Sequence, residues 1–139
     1  MKNIYRLILL FIFLSSCNST CAHKNIEISE LLSIATEEKS IDYCKLLNSS
    51  LSGNEDSIKE ISLLEFGDAV GYDHGSVIVD LILEIGEEKY LRSIFMISKE
   101  EKYLINSYLD VGLIYGNNPK VDKKDLKSTF PKIYDFLKR

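Results

Sequence analysis

VIVDLILEIG, residues 77–86, admits two secondary structures. Its β-branched residues suit a strand. Its polar residues favour a helix, because Asp80 and Glu84 stand four apart and share a face only at helical spacing, whereas a strand would alternate them with apolar neighbours. Gly86 then stops the run in the usual C-terminal manner. A helix over Val77 to Ile85, capped by Asp73 or Ser76, is therefore expected.

The flanking sequence repeats the pattern. Upstream, Ile28, Leu31, Leu32 and Ala35 form one stripe between Ile26 and Glu38. Ile41, Cys44, Leu47 and Leu51 form a second, with Ser40 as a candidate cap and Gly53 as a terminator. Asn54 opens a third helix with Ile58, Ile61, Leu64 and Phe66 facing inward. Downstream, Glu87 to Ile97 starts with two acids, which suit a helix N-terminus. Ser98 and Glu101 have capping-box spacing. A sixth helix carries Leu104, Tyr108, Val111 and Tyr115 and ends at Gly116 and Pro119. Asp122 can cap a short turn, and Pro131 fits the first position of a last helix. Short connections favour antiparallel neighbours. The expected fold is all-α: a compact bundle, or a short HEAT-like array, of six to seven antiparallel helices. No internal repeat supports the array.

FGDAVGYDHG, residues 66–75, places three glycines four apart and gathers Asp68, Tyr72, Asp73 and His74. As a site it offers two carboxylates, an imidazole and a phenol. As structure it offers a helix cap at Asp73 and glycines for a tight turn or a close helix contact. A hydrolase would have to work through His74, the one histidine of the expected domain, and no nucleophile-elbow motif accompanies it. Clustered His and Cys ligands for zinc are absent, as are a phosphate loop and a calcium-loop spacing. The expectation is no cofactor, no metal and no catalytic set. Eight tyrosines and no tryptophan leave Tyr as the candidate interface anchor. Tyr103, beside the Leu104 stripe, is the best candidate for exposure.

The N-terminus gives an address. Lys2 and Arg6 precede an apolar run, Leu7 to Leu14, and two small residues precede Cys17. This is the layout of a secretory signal, and the run is too short for a permanent span of ~20 residues. Leu14-Ser15-Ser16-Cys17 resembles the lipobox of bacterial lipoproteins. The resemblance covers the first 17 residues only. It implies cleavage before Cys17, lipidation of that cysteine and anchoring to the bilayer through it. Asn18, where Asp would favour inner-membrane retention in enteric bacteria, leans toward the outer membrane. The expected organisation is a signal over residues 1–16, a lipidated Cys17 and tether over 17–25, and a helical domain over 26–139.

Loss of Lys2 and Arg6 with the signal would leave 15 basic against 21 acidic residues, a net charge near −6. An acidic domain is a poor partner for nucleic acid, whose binding rests on Lys and Arg. It suits a basic protein partner, although a mild negative charge also serves solubility alone. In an oxidising compartment Cys21 and Cys44 are an even pair, and a bridge between them would close a loop of roughly 24 residues, contributing ~3 kcal/mol. The alternative is a tether cysteine and a buried thiol. These features suggest a lipid-anchored envelope protein that binds another protein without catalysis. One version, by analogy of size, anchor and charge, is an immunity-type inhibitor of a periplasmic toxin. The alternatives are a structural or assembly lipoprotein and, third, a hydrolase using His74.

Overall fold

The computed structural model describes residues 26–121 and 125–139. It is an all-α compact bundle. Its elements are α1 (Glu30–Glu38), α2 (Tyr43–Leu51), α3 (Glu55–Ser62), α4 (Asp68–Ile85), α5 (Glu87–Ile94), α6 (Lys99–Tyr115), the short α7 (Leu126–Thr129) and α8 (Pro131–Leu137). Among the described residues there are thus eight helical segments, one more than expected, the addition being the four-residue α7 capped by Asp125. No described helix is long and apolar enough to cross a membrane.

Local chemistry sets most boundaries. Asn54 accepts the Ser57 N–H at the start of α3. Ser98 and Glu101 satisfy each other's backbone donors in a complete capping box on α6. Gly53, at φ +91°, ends α2, with its N–H on the Ser50 carbonyl and the Asn54 N–H on the Ser49 carbonyl. This is a Schellman closure, in which glycine takes the left-handed position without penalty. Pro131 occupies the first turn of α8.

Ser40 does not cap α2, contrary to expectation. It holds φ +57° and closes α1, donating its N–H to the Glu37 carbonyl while the Ile41 N–H reaches the Thr36 carbonyl. Asp42 caps α2 instead, accepting the Lys45 N–H. The expected cap of the fourth helix is also displaced. α4 starts at Asp68 behind Gly67 and runs for 18 residues, so Asp73 and Ser76 lie within it. The glycine-bearing segment 66–75 is therefore mostly helix. The two glycines inside α4 cost helix propensity, and close packing supplies the compensation.

α4 is the central element, burying Val77, Ile78, Val79, Leu81 and Ile82. It packs most extensively against α6, with α1, α2 and α5 also against it. A Cβ on Gly75 would come 2.4 Å from the Tyr108 carbonyl oxygen, and one on Gly112 would come 2.3 Å from the Gly75 carbonyl oxygen. The two backbones touch where neither residue has a side chain. The pairings Gly71–Tyr108, Gly75–Gly112 and Asp80–Asn118 advance together along both segments. α4 and α6, which are not consecutive in the chain, therefore run in the same direction. α5 makes this possible by carrying the chain back between them. The buried face of α6 is Ile105, Tyr108, Leu109, Gly112 and Leu113, so Tyr115 leaves the expected stripe for the surface.

Candidate functional site

His74 is wholly buried, at 0% exposure. Its Nδ1 lies 2.7 Å from the Tyr43 hydroxyl. Three rings meet it edge-on: Tyr43 at 5.7 Å, Phe66 at 4.9 Å and Tyr108 at 4.8 Å between centroids. Burial pushes the imidazole down to about 3, against a weaker upward pull from the Ile61 backbone. The ring is therefore neutral at physiological pH, and Nδ1 shares a hydrogen bond with the Tyr43 hydroxyl. Nε2 has no hydrogen bond of full geometry. The Tyr108 hydroxyl takes the Phe66 N–H and donates to the Leu64 carbonyl, both at 2.9 Å, tying the α3–α4 connection to α6. This cluster is a polar knot in the core. His74 is thus packed among these side chains in the core, away from the surface.

The surface next to the knot has a different character. Tyr72, the residue two before His74, projects outward from α4 and stacks on Tyr115 of α6. Their centroids are 5.0 Å apart and their planes 12° from parallel. The two rings are 46% and 61% exposed. Parallel packing of α4 and α6 brings them together. Tyr115 also lines a cleft of about 450 Å³, along with Glu27, Asp73, Asp80, Glu84 and the segment 116–120. Four carboxylates stand there against one cation, Lys120, among the described lining residues. The Ser29 hydroxyl donates to the Asp73 carboxylate, fixing the entry to α1 on α4. Asn118 donates to Asp80 at 2.7 Å. Burial pushes the Asp80 carboxyl up, the Asn118 bond opposes this, Glu84 one turn on raises it further and the Lys120 charge pulls it back down.

A second surface lies at the other end of α6. Tyr103 is 79% exposed, as its sequence position suggested, and Met96 is 82% exposed. Phe95 stacks on Phe136 at 6.4 Å, and the Lys102 ammonium sits 4.2 Å from the Phe136 centroid. Phe95, Phe136 and Leu91 line a groove of about 580 Å³ whose charges alternate in sign: Glu55 faces Arg92 at 3.6 Å and Glu88 pairs with Lys132.

The residues proposed from sequence thus separate. Tyr72 and Asp73 belong to the stacked-tyrosine face. His74 points the opposite way, into the core. Asp68 is exposed in the first turn of α4, at φ +47°. Tyr103 lies 12 residues before Tyr115, roughly 18 Å along the helix axis. Tyr115, Asp80, Glu84 and Glu27 were missed, although the Asp80–Glu84 spacing that identified the helix already marked its outer face. No group of three His, Cys, Asp or Glu among the described residues could hold a metal ion. Cys17 and Cys21 lie outside the described residues. Cys44 is half-buried on α2 and its sulfur is engaged, but the other end of the expected bridge is among the residues not described.

No family model, no curated protein and no solved structure matches this chain.

Proposed function

We propose that the chain is a lipid-anchored protein of the bacterial cell envelope whose helical domain binds another protein without catalysis, through the face made by Tyr72 and Tyr115. The observation that carries this reading is the exposed, mutually stacked tyrosine pair beside an acidic cleft. Stacked tyrosines hold each other in place, so little side-chain freedom is lost when a partner covers them, and Tyr is a preferred anchor at protein interfaces. The carboxylates around them suit a basic partner. The lipobox-like Leu14-Ser15-Ser16-Cys17 supplies the address, with Cys21–Cys44 as its expected bridge. Glu27, which lines the cleft, follows Cys17 by ten residues in the sequence. An immunity-type inhibitor held near the site of toxin entry fits this arrangement.

A structural or assembly lipoprotein is the second reading, favoured by the separate exposed surface of Phe95, Met96 and Tyr103, which would give a multi-subunit complex a second contact. Affinity capture from detergent-solubilised envelopes, run in parallel with the wild type and a Tyr72→Ala/Tyr115→Ala chain, tests the proposal. Recovery of one dominant protein by the wild type and its loss with the double variant are expected. Equal recovery by both would place binding elsewhere. A stoichiometric complex lost only when Phe95 and Met96 are replaced by serine would favour the second reading.

A further inference from the structure

We propose that the groove lined by Phe95 and Phe136 is the contact between two copies of this chain, which pair weakly about a two-fold axis. The inference is independent of the Tyr72–Tyr115 reading and concerns the opposite end of α6. Phe95 is 69% exposed. It lies against the half-buried Phe136, with centroids 6.4 Å apart and planes 25° from parallel. The Lys102 ammonium, 4.2 Å from the Phe136 centroid, donates to the Phe136 carbonyl at 3.1 Å. These contacts hold both rings before anything covers them, so a partner has little left to order.

Charge selects the occupant. Three acids, Glu55, Glu88 and Asp135, and three bases, Arg92, Lys132 and Arg139, line the groove. Glu55 stands 3.6 Å from Arg92, and Glu88 pairs with Lys132. A strongly basic or strongly acidic partner meets no excess of opposite charge there. A second copy needs none, because the same surface turned through a two-fold axis offers as many acids as bases. The chain as a whole is acidic, net −4. Two copies therefore repel on average, and they approach with least repulsion where the charges balance.

Area sets the strength. A standard interface takes ~800 Å² and about 20–30 residues from each partner. The nine residues lining the groove fall well short of that, even with Met96, the exposed neighbour of Phe95 in the chain. The contact therefore belongs among small, weak interfaces of less than ~1,200 Å² in total.

Sedimentation equilibrium tests this on the full chain, in a detergent matched in density to the solvent and with micelles in excess over protein. A monomer–dimer equilibrium is expected. Phe95→Ser should weaken it at least about tenfold, with an unchanged circular dichroism spectrum. Glu88→Lys leaves two acids against four bases in the groove, and Lys132→Glu leaves four acids against two bases. Each variant then repels its own copy and should associate less than the wild type. An equimolar mixture of the two should recover the association. A monomer at every concentration up to the solubility limit would overturn the assignment. So would a dimer that Phe95→Ser leaves intact, a larger assembly, or a mixture of the charge variants that associates no better than either alone. A chain that stays monomeric by itself and captures a different protein through Phe95 would overturn it too. None of these outcomes bears on the Tyr72–Tyr115 face.

Discussion

The Tyr43 hydroxyl lies 2.7 Å from Nδ1 of His74, inside a ring of aromatic side chains and away from solvent. That single bond joins α2 to α4 and assigns the domain's one histidine to the core. On the outer side of the same helix Tyr72 meets Tyr115, the pair that the proposed binding face is built on.

The buried imidazole makes stability depend on pH. His74 is held at about 3 in the folded chain, against an ordinary value of 6.5. Between these values the unfolded chain binds a proton that the folded chain refuses. The stabilisation is fully present above pH 6.5 and is lost as pH falls toward 3, at about 1.4 kcal/mol per unit. Urea denaturation at pH 6.5 and pH 5 should show a larger loss of stability in the wild type than in His74→Gln. An identical loss in both would mean that the ring is protonated in the folded state.

The glycine contact should tolerate no side chain. Gly75→Ala or Gly112→Ala would drive a methyl group into backbone of the facing helix, and each is expected to destabilise by at least about 1–3 kcal/mol. Gly67→Ala, with open space around the new Cβ, is the matched control and should stay near the wild type. Thermal melts of the three variants give the comparison.

The exposed tyrosines should matter for binding and little for folding. Tyr72→Ala and Tyr115→Ala each remove one ring of a surface stack, so the expected stability loss is about 0.5–1.5 kcal/mol. Partner affinity should fall at least about thirtyfold, the mark of an interface hot spot at 2 kcal/mol or more. Tyr103→Ala should leave that affinity unchanged. Calorimetric titration of the captured partner separates the three variants.

The proposed bridge can be read directly. Peptide mapping without reduction should find Cys21 joined to Cys44, and reduction should lower the unfolding free energy by about 3 kcal/mol. Two separate free thiols would remove the bridge and with it one support for an oxidising compartment.

Sequence patterning resolved the helices well because helical spacing, caps and stops are local. Asp80 and Glu84 identified α4, Ser98 and Glu101 the start of α6, and Gly53 the end of α2. It failed where distant contacts override local preference. Gly71 and Gly75 look like a turn until Tyr108 is placed against the first and Gly112 against the second, and only that packing makes continuous helix favourable. Ser40 resembles a start until the Thr36 and Glu37 carbonyls claim the donors that follow. The site was half visible. Tyr72 and Asp73 stand out in the sequence, but Tyr115 falls on the apolar stripe of α6, and one register step around the helix separates that stripe from the surface. That step is set by the glycine contact, which no single-helix pattern contains.

The mass of the N-terminal peptide, from protein purified out of its native membranes, bears most directly on the anchored state from which the proposed function starts. A peptide beginning at Cys17 and carrying acyl chains is the expected result. One beginning at Met1, or a Cys17 without lipid, would contradict it.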